Sequence, residues 1–503
     1  MELLFLVGVF FIILGSYKAS KKPILVVPIY LLLGIPFFST SFNFYIGRVP
    51  LTFSRLFLFS FISLLILNLI RKRRHVINLK SCANFLKVSG YYFGIGAFIS
   101  LCHYLTQGHF PTQFIKNIVI SSWCLIFIFI PFKKEEEDTF IKFMAMSSIF
   151  ITLLYFPHSF LYSVILKVSS DGLARDIQVG VGAGAGIPLD VAKKIFLFPI
   201  SDPLLKFPKA ALFALDNPAN RKFMLLLPAL FYFFFRFFPS IKKKKDTLFF
   251  IGFFLISFFF VYLQQILSMI GTFISLMFIG ILWVNSPKIN FQKLFIFVTL
   301  LSVCFLFVYK MPFLKEGGKS RFNSLVQKHK VENVEKIESA SIGDRIENLN
   351  RFSMFYTAIV YHSQNKSLLR GAGFPKTSTF SHDYGFTGHA YLLDVILALG
   401  VPLGIIYTFP FWGPLFLIFL MCLFQFKKVK KEESFLFWIF FFWTSFLMSS
   451  VGIFGYQSSD QAIQFGMLFL FLRKYMPFFK DLVQIFSDRS FENNDIKPEE
   501  VKA

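Results

Sequence analysis

The stretch "VPLGIIYTFPFWGPLFLIFLMCLFQF" (401–426) is apolar almost throughout, and the basic cluster "KKVKK" (427–431) follows it directly. About 20 consecutive apolar residues are enough to cross the hydrocarbon core of a bilayer as a helix. A basic cluster beside such a segment marks the cytoplasmic side of the membrane. The stretch therefore predicts a transmembrane helix whose C-terminal end faces the cytoplasm.

Segments of this kind recur through the whole chain of 503 residues, which is 55% hydrophobic and 16% charged. Soluble domains carry about a quarter charged residues, and the 76 phenylalanines exceed what one water-soluble core would use. The runs are solidly apolar and do not alternate as the strands of a transmembrane barrel do. We therefore expect an all-α polytopic membrane protein with about 12–14 transmembrane helices and two long periplasmic segments.

The apolar segments also define the domain organisation. They lie at about 3–17, 24–38, 55–70, 86–105, 114–132, 140–167, 222–240, 246–266, 267–285, 292–310, 401–426, 434–453 and 461–474. Residues 1–310 are expected to hold transmembrane helices with an outer segment at about 168–221. Residues 311–400 are expected to form a large periplasmic loop with amphipathic helices, residues 401–476 the C-terminal transmembrane helices, and residues 477–503 a cytoplasmic tail.

The basic residues predict the orientation. Clusters at 18–22, 71–75, 133–134, 241–246 and 427–431 should all be cytoplasmic. With about thirteen spans, this places the N-terminus and both long segments outside and the C-terminal tail inside. The net charge of +24 then indicates cytoplasmic loops and anionic lipid headgroups, so the expected partner is the lipid bilayer and not nucleic acid.

Neither a metal nor a cofactor is expected. The five cysteines contain no CxxC pair, which gives no sign of a disulfide framework or a zinc site. His382, Asp383 and His389 match no common spacing of metal ligands. Charged residues are scarce inside the spans, which argues against an ion-coupled transporter. The phenylalanine-rich stripes are expected to face lipid.

The chemistry-bearing residues concentrate in "SIGDRIENLNRFSMFYTAIVYHSQNKSLLRGAGFPKTSTFSHDYGFTGHAYLLDVILALGVPLG" (341–404). Arg345 lies ahead of a predicted amphipathic helix, Arg370 lies behind it, and His389 opens an apolar helix after a glycine-containing turn. Arginine presents a planar fork of donors that matches phosphate and pyrophosphate oxygens. Histidine exchanges a proton near neutral pH. This pattern favours a site in which arginines hold a lipid diphosphate and His389 accepts a proton from an incoming hydroxyl.

Two further arginines are candidates for phosphate or glycan contact. Arg351 lies at the start of the predicted amphipathic helix, and Arg175 lies in the other outer segment, eleven residues before Gly186. Simpler roles remain open for each candidate. Arg351 and Arg370 could contact lipid headgroups, Arg345 could pair with an acidic neighbour on the surface, and His389 could be a polar helix-start residue facing water.

The succession "SIGDRIENLNRFSMFYTAI", "LLRGAGF" and "HAYLLDVILALGVPLG" resembles the O-antigen ligase and O-antigen polymerase family, over roughly 341–404. The resemblance implies a metal-independent, inverting glycosyl transfer from an undecaprenyl-diphosphate-linked glycan, on the periplasmic side of the bacterial inner membrane. It implies that Arg345 binds the lipid diphosphate and that His389 activates the acceptor hydroxyl. Gly371 and Gly373 match the family's turn.

Three positions depart from the family pattern. Ala390 stands where the family often has asparagine, and Ala398 stands at the acidic position of the following helix, with Asp394 one turn earlier. Many ligases also have a Ser-Arg pair in an earlier span, whereas "YLQQILSMIGTF" (262–273) has no arginine. Arg351, Arg370 or Arg175 would then supply the second contact. The missing pair favours a polymerase over a ligase, with a chain-length regulator as an additional partner.

Two alternatives remain beside the transferase. The first is a polysaccharide or lipid transporter without catalytic activity. The second is a polyprenyl-phosphate-sugar transferase of another class, which usually needs an acidic pair in its first outer loop. The loop "STSFNFYIGRVPLTFS" (39–54) has no Asp or Glu, which disfavours the second alternative.

Overall fold

A computed structural model of the chain describes residues 2–35, 43–46, 49–71, 79–128, 134–160, 222–237, 256–258, 261, 267–285, 367–373, 390–450 and 458–492. In chain order the helices are α1 (Glu2–Lys21), α2 (Val26–Leu33), α3 (Phe53–Arg71), α4 (Leu79–Gln107), α5 (Thr112–Ser121), α6 (Lys134–Phe160), α7 (Leu227–Phe237), α8 (Leu267–Asn285), α9 (Ser367–Arg370), α10 (Tyr391–Leu399), α11 (Val401–Val429), α12 (Phe435–Ser450) and α13 (Ser458–Glu492). Two 3₁₀ segments, Pro23–Leu25 and Ser122–Ile128, and a two-stranded hairpin complete these parts.

Three helices in the described part of the chain are long and apolar enough to cross a membrane, at Ala83–Gln107, Glu135–Pro157 and Val401–Val429. Each overlaps a span expected from the sequence, so the helical structure of these spans is confirmed, and their length and composition support the prediction of a membrane protein. Shorter apolar helices cover Pro23–Leu33, Phe53–Asn68, Phe114–Phe127, Met269–Val284 and Phe435–Ser450. The full number of spans and the two periplasmic segments stay predictions.

Helix α4 carries large apolar and aromatic side chains that are exposed along its length. Leu86 is 69% exposed, and Tyr91 and Leu105 are each 73% exposed. Large contiguous apolar surfaces are rare on soluble monomers and mark contact with a partner or a membrane. Together with the length of the helix, these exposed side chains indicate contact with lipid.

The described residues are almost entirely helical, as expected, and a short hairpin lies within the loop expected at 39–54. Strand β1 (Asn43–Ile46) pairs with strand β2 (Val49–Thr52) in antiparallel register, with Ile46 opposite Val49. Aromatic and β-branched residues favour strands. The two residues between the strands in sequence are Gly47 and Arg48. A two-residue connection that contains glycine favours a hairpin.

Helices α10 and α11 run antiparallel to each other from the junction at Gly400. The rings of Tyr391 and Phe411 have centroids 5.2 Å apart. Nearer the junction, a side chain added at Gly404 would come within 2.4 Å of the Ile396 Cα atom, so the two backbones are in close contact there. The N-terminal end of α10 is therefore level with the second and third turns of α11.

From the sequence, 389–399 is too short to span a bilayer alone and is expected to form a half-helix lying at the membrane surface. The hairpin of α10 and α11 contradicts this expectation for α10. Seven of the nine residues of α10 are buried, and Ala390 directly before it is fully buried. A surface helix needs a polar face, but "YLLDVILAL" (391–399) has a single polar residue other than its terminal tyrosine. The helix is instead folded back into the bundle.

The phenylalanines of α12 are also placed differently from the expectation. Five of them are fully buried: Phe435, Phe437, Phe440, Phe441 and Phe442. They pack against rings of neighbouring helices, as in the contacts of Phe440 with Phe231 of α7, at 6.0 Å, and of Phe442 with Phe471 of α13, at 5.3 Å. This phenylalanine-rich stripe thus forms protein core, whereas the sequence pattern alone had assigned it to lipid.

Gln464 of α13 forms hydrogen bonds with α11 and α12, beside a proline in α11. Pro414 has no N–H, so the carbonyl of Pro410 lacks its usual donor within α11. The Gln464 side-chain amide donates to this carbonyl at 2.6 Å, and Ser445 of α12 donates to the Gln464 carbonyl oxygen. The contact satisfies a backbone group that would otherwise be buried without a partner.

At the C-terminal end of α11, a carboxylate of α6 is buried among groups from α12 and α13. Glu137 is 2% exposed. It accepts hydrogen bonds from Ser434 Oγ at 2.9 Å and from the Trp438 indole N–H at 2.8 Å, and it forms an ion pair with Lys474. We call these four residues the Glu137 cluster. A buried charge is tolerated when it is both paired and hydrogen-bonded, and this one is both.

Candidate functional site

The turn 371–373 caps the C-terminal end of α10. The N–H of Ala372 donates to the carbonyl of Leu397 at 2.9 Å, and the N–H of Gly373 donates to the carbonyl of Ala398 at 2.8 Å. The last carbonyls of a helix have no partner within it, so here a segment distant in sequence supplies the donors. The two sequence motifs that resemble the glycosyltransferase family, "LLRGAGF" and "HAYLLDVILALGVPLG", are thus joined in space.

Glycine is required on both sides of this contact. Gly371 has φ 79° and Gly400 has φ 81°, a region that side-chain-bearing residues rarely adopt. A Cβ atom at Gly371 would lie 2.2 Å from the carbonyl oxygen of Ala398, and a Cβ at Gly400 would lie 2.2 Å from that of Leu369. The prediction of a glycine turn at 371–373 is therefore confirmed.

A third segment, the C-terminal end of α4, holds the same turn. The Gln107 side-chain amide donates to the carbonyl of Gly371 at 3.0 Å. Its side chain also fills the space beside Gly373, where an added Cβ would be 3.0 Å from the Gln107 side chain. We call Gln107, turn 371–373 and Gly400 the Gly371 junction.

Two histidines beside Gln107 were not among the sequence candidates. The Nδ1 atom of His103 lies 3.0 Å from the carbonyl of His109, and the Nδ1 atom of His109 lies 3.2 Å from the carbonyl of Gln107. Their rings are nearly perpendicular, with centroids 5.0 Å apart. A carbonyl only accepts hydrogen bonds, so both Nδ1 atoms carry the proton in the neutral rings and both Nε2 atoms are acceptors.

The signal that could have found these histidines is their position. "LCHYLTQGHF" (101–110) places them at the end of an apolar span, and ionisable residues in or beside spans are commonly functional. His103 is 3% exposed. The Nε2 atom of His109 is buried, and it has no hydrogen-bond partner in the part of the chain that the structure describes. An unpaired buried acceptor costs about 1–3 kcal/mol.

A polar network lies at the N-terminal end of α10. The Gln461 amide of α13 donates to the Tyr391 hydroxyl at 2.8 Å, and the Tyr407 hydroxyl of α11 donates to the Gln461 carbonyl oxygen at 3.0 Å. Phe114 of α5 packs on the Tyr407 ring, with centroids 4.8 Å apart. The start of α10 is therefore held by side chains from α11 and α13.

Two carboxylates are buried near this network. Asp394 in α10 is 4% exposed, and Asp460, one residue before Gln461, is 6% exposed. The sequence had shown Asp394 only as a displaced acidic position, and it had not singled out Asp460. Carboxylates within apolar helices are rare and are usually functional, so both belong to the candidate site.

Of the arginine and histidine candidates, the structure describes Arg370 alone. Arg370 ends α9 directly before turn 371–373, and its side chain is exposed. Arg175, Arg345, Arg351 and His389 lie outside the described residues, so their roles stay predictions.

The position of Arg370 limits its role. It lies at the C-terminal end of α10, whereas His389 precedes the N-terminal end in sequence. A helix of nine residues is about 13 Å long. Arg370 is therefore separated from the start of α10 by the length of that helix.

No protein-family model and no curated protein matches this chain. The assignment of the site therefore depends on its geometry and on the resemblance of 341–404.

Proposed function

We propose that the chain is a membrane glycosyltransferase of the O-antigen polymerase type, with a ligase as the variant that differs in acceptor. It would transfer a glycan from an undecaprenyl-diphosphate donor to a sugar acceptor at the periplasmic face of the bacterial inner membrane. The observation that carries the proposal is the Gly371 junction, because it joins the two motifs of the resemblance. The pair of hydrogen bonds from Ala372 and Gly373 to the carbonyls of Leu397 and Ala398 is a long-range contact between these two motifs.

The proposed reaction is an inverting displacement. The acceptor hydroxyl attacks the anomeric carbon of the donor sugar, and a glycosidic C–O bond forms as the C–O bond to the diphosphate breaks. His389 takes the hydroxyl proton, and undecaprenyl diphosphate leaves. The leaving group gains negative charge, which guanidinium groups stabilise by charge-assisted hydrogen bonds.

The roles of the arginines follow from position. Arg345 and Arg351 are proposed to hold the diphosphate near His389. Arg370 is proposed to contact a more distant part of the lipid-linked glycan or a headgroup, because α10 separates it from the start of the helix. Arg175 is proposed as a further glycan contact from the other outer segment.

The contacts at the two ends of α11 agree with the proposed orientation. The three segments of the Gly371 junction are all expected outside, and the three segments of the Glu137 cluster are all expected inside. A helix of 29 residues is roughly 43 Å long, which is close to the thickness of a bilayer with its headgroups.

The transporter without catalytic activity has one observation in its favour. Buried carboxylates and glutamines line the α10, α11 and α13 contact, and such groups in membranes also mark ion and substrate pathways. Asp460→Asn separates the two functions. A transporter that uses this carboxylate would lose coupled substrate uptake, whereas a transferase would retain its product at a reduced level.

The proposed reaction can be tested in cells by substituting His389. We expect His389→Ala to abolish the long glycan chains in the native host while the protein level in the membrane stays unchanged. His382→Ala, in the same loop and without a proposed role, is the matched control and should leave the glycan pattern intact. Normal glycans in the His389→Ala strain would refute the proposed reaction.

A further inference from the structure

We propose that Gln461 positions the start of α10, and with it the adjoining His389, for the transfer step. It acts through hydrogen bonds to Tyr391 and Tyr407. This inference rests on the proposed function, in which His389 takes the proton of the acceptor hydroxyl. It adds positioning residues that the resemblance does not assign, and in this account Gln461 touches no substrate.

The covalent chain connects His389 to the part of α10 that the structure describes. His389 itself lies outside the described residues, and Ala390, the next residue, is fully buried. Consecutive Cα atoms are about 3.8 Å apart across a trans peptide bond. A shift of Ala390 therefore shifts the main chain of His389 with it.

Local interactions hold the start of α10 only weakly. Ala390 is the N-cap residue, and no side-chain hydrogen bond caps the helix there. A side-chain cap contributes about 1 kcal/mol to a helix, and a helix of nine residues is marginal by itself. The position of this helix start therefore depends on contacts with other elements.

Gln461 supplies such contacts with both ends of its side-chain amide. Its N–H donates to the Tyr391 hydroxyl at 2.8 Å, and its carbonyl oxygen accepts from the Tyr407 hydroxyl at 3.0 Å. The two tyrosine hydroxyls also interact with each other. Tyr407 uses its one hydroxyl proton on the glutamine, so Tyr391 is the donor in this third contact. The three side chains form a closed ring of hydrogen bonds, which we call the Gln461 ring.

Burial keeps water out of the Gln461 ring. Tyr391 and Gln461 are each 2% exposed, and Tyr407 is 6% exposed. The ring of Phe411 packs on Tyr391 and that of Phe114 packs on Tyr407, with centroids 5.2 Å and 4.8 Å apart. Hydrogen bonds are stronger in such surroundings, and a buried group that loses its partner is costly. The start of α10 is therefore held in one geometry against α11 and α13.

The consequence for the reaction is a loss of turnover without a loss of donor binding. A displacement of a reacting group by about 1 Å can lower the rate of the chemical step about 100-fold. The proposed diphosphate contacts come from Arg345 and Arg351 and not from the Gln461 ring. A merely structural role would lower the amount of folded protein and leave the turnover of the folded fraction unchanged.

The experiment uses Gln461→Met, which keeps the length of the side chain and removes both hydrogen-bonding groups. Purified full-length protein in liposomes receives the undecaprenyl-diphosphate-linked glycan isolated from the host membrane, and turnover is normalised to the amount of protein that binds this donor. We expect Gln461→Met to lower the normalised kcat about tenfold to 100-fold. The donor affinity should change less than about twofold.

The matched control is Gln464→Leu. Gln464 lies one turn further along α13 and bonds to α11 and α12, so it should affect folding and not the placement of His389. We expect its normalised kcat to stay within about twofold of the wild-type value.

Two tyrosine variants test the ring itself. Tyr391→Phe removes a hydroxyl from the same ring and should lower kcat, and Gln461→Met should then cost less in that background than in the wild type, because the contact is already lost. Tyr407→Phe removes a single oxygen atom of α11 and replaces Gln461→Met where that variant does not fold. We expect it to lower kcat about threefold to tenfold, the worth of one hydrogen bond, with the donor affinity unchanged.

The outcomes separate the two proposals. Wild-type protein that forms no product would overturn the proposed function and this inference with it. An active wild type would overturn this inference alone in any of three cases. These are normal turnover in Gln461→Met, equal losses of turnover in Gln461→Met and Gln464→Leu, and a loss of donor affinity as large as the loss of turnover.

Discussion

At the residue scale, the glycines of the Gly371 junction carry the most specific demand on the sequence. Gly371 is left-handed and touches the backbone of the α10 C-terminus, so any side chain there meets both backbone strain and a clash. Gly94 in α4 has no neighbour within 4 Å of an added Cβ and is helical. The two glycines form a matched pair.

We expect Gly371→Ala to lower the free energy of unfolding by at least about 2 kcal/mol, from left-handed strain and from the displaced turn. Gly94→Ala should leave it unchanged or raise it by about 0.5–1 kcal/mol, because alanine favours a helix interior. Chemical unfolding of the purified protein in detergent measures both. Equal effects of the two substitutions would show that the junction is not formed as described.

A second expectation at this scale concerns the Glu137 cluster. Glu137→Gln removes the buried carboxylate of the Lys474 ion pair and leaves Lys474 with the more exposed Glu432, at 3.7 Å, which should cost about 2 kcal/mol. Glu135 is exposed in the same helix turn, and Glu135→Gln should cost less than about 0.5 kcal/mol. The same unfolding measurement applies, and a neutral Glu137→Gln would contradict the assignment of the ion pair.

Residues that the sequence failed to reveal share one property. Gln461 and Gln464 matter through contacts with segments far away in the chain, and no local pattern encodes those contacts. The glycine turn was predictable because its requirement is local: a left-handed backbone favours glycine whatever the fold around it. Asp394 was visible only as a departure from a family pattern.

At the scale of elements, α11 shows how a helix with two interior prolines, Pro410 and Pro414, keeps its backbone satisfied. Pro414 removes the donor to the Pro410 carbonyl, and Gln464 replaces it. The stability of α11 therefore depends on a contact with α13. The sequence of either helix alone does not reveal this dependence.

A double-mutant cycle tests this replacement. Gln464→Leu alone should cost about 2 kcal/mol, because it leaves the Pro410 carbonyl and the Ser445 hydroxyl unpaired. Pro414→Ala restores an N–H that can reach the carbonyl within the helix, so Gln464→Leu should cost about 1 kcal/mol less in that background. Additive effects of the two substitutions would mean that Gln464 does not replace the hydrogen bond that Pro414 removes.

Helix existence was easier to predict than helix placement. Long apolar runs such as 401–426 identify spans because the bilayer sets a minimum length. The same apolarity cannot distinguish lipid from protein as the neighbour. For that reason α12 was assigned to lipid although its phenylalanines form core, and α10 was placed at the membrane surface although it is folded back along α11.

At the scale of the whole molecule, the proposed topology places the Gly371 junction and the Glu137 cluster on opposite sides of the membrane. Single cysteines at Thr106 and Glu433, in a background without the native cysteines, report on each side. Thr106→Cys should react with an impermeant maleimide in spheroplasts, and Glu433→Cys should react only after permeabilisation. The reverse pattern would invert the proposed topology and place the site in the cytoplasm.

The most direct test of the central claim is the reaction itself. Purified full-length protein in liposomes is incubated with the undecaprenyl-diphosphate-linked glycan isolated from the host membrane, and the products are separated by chain length. Wild-type protein should form longer glycans and release one undecaprenyl diphosphate per glycosidic bond, while His389→Ala should bind the donor and form no product. Donor binding without any product from the wild type, or equal turnover by His389→Ala, would contradict the account.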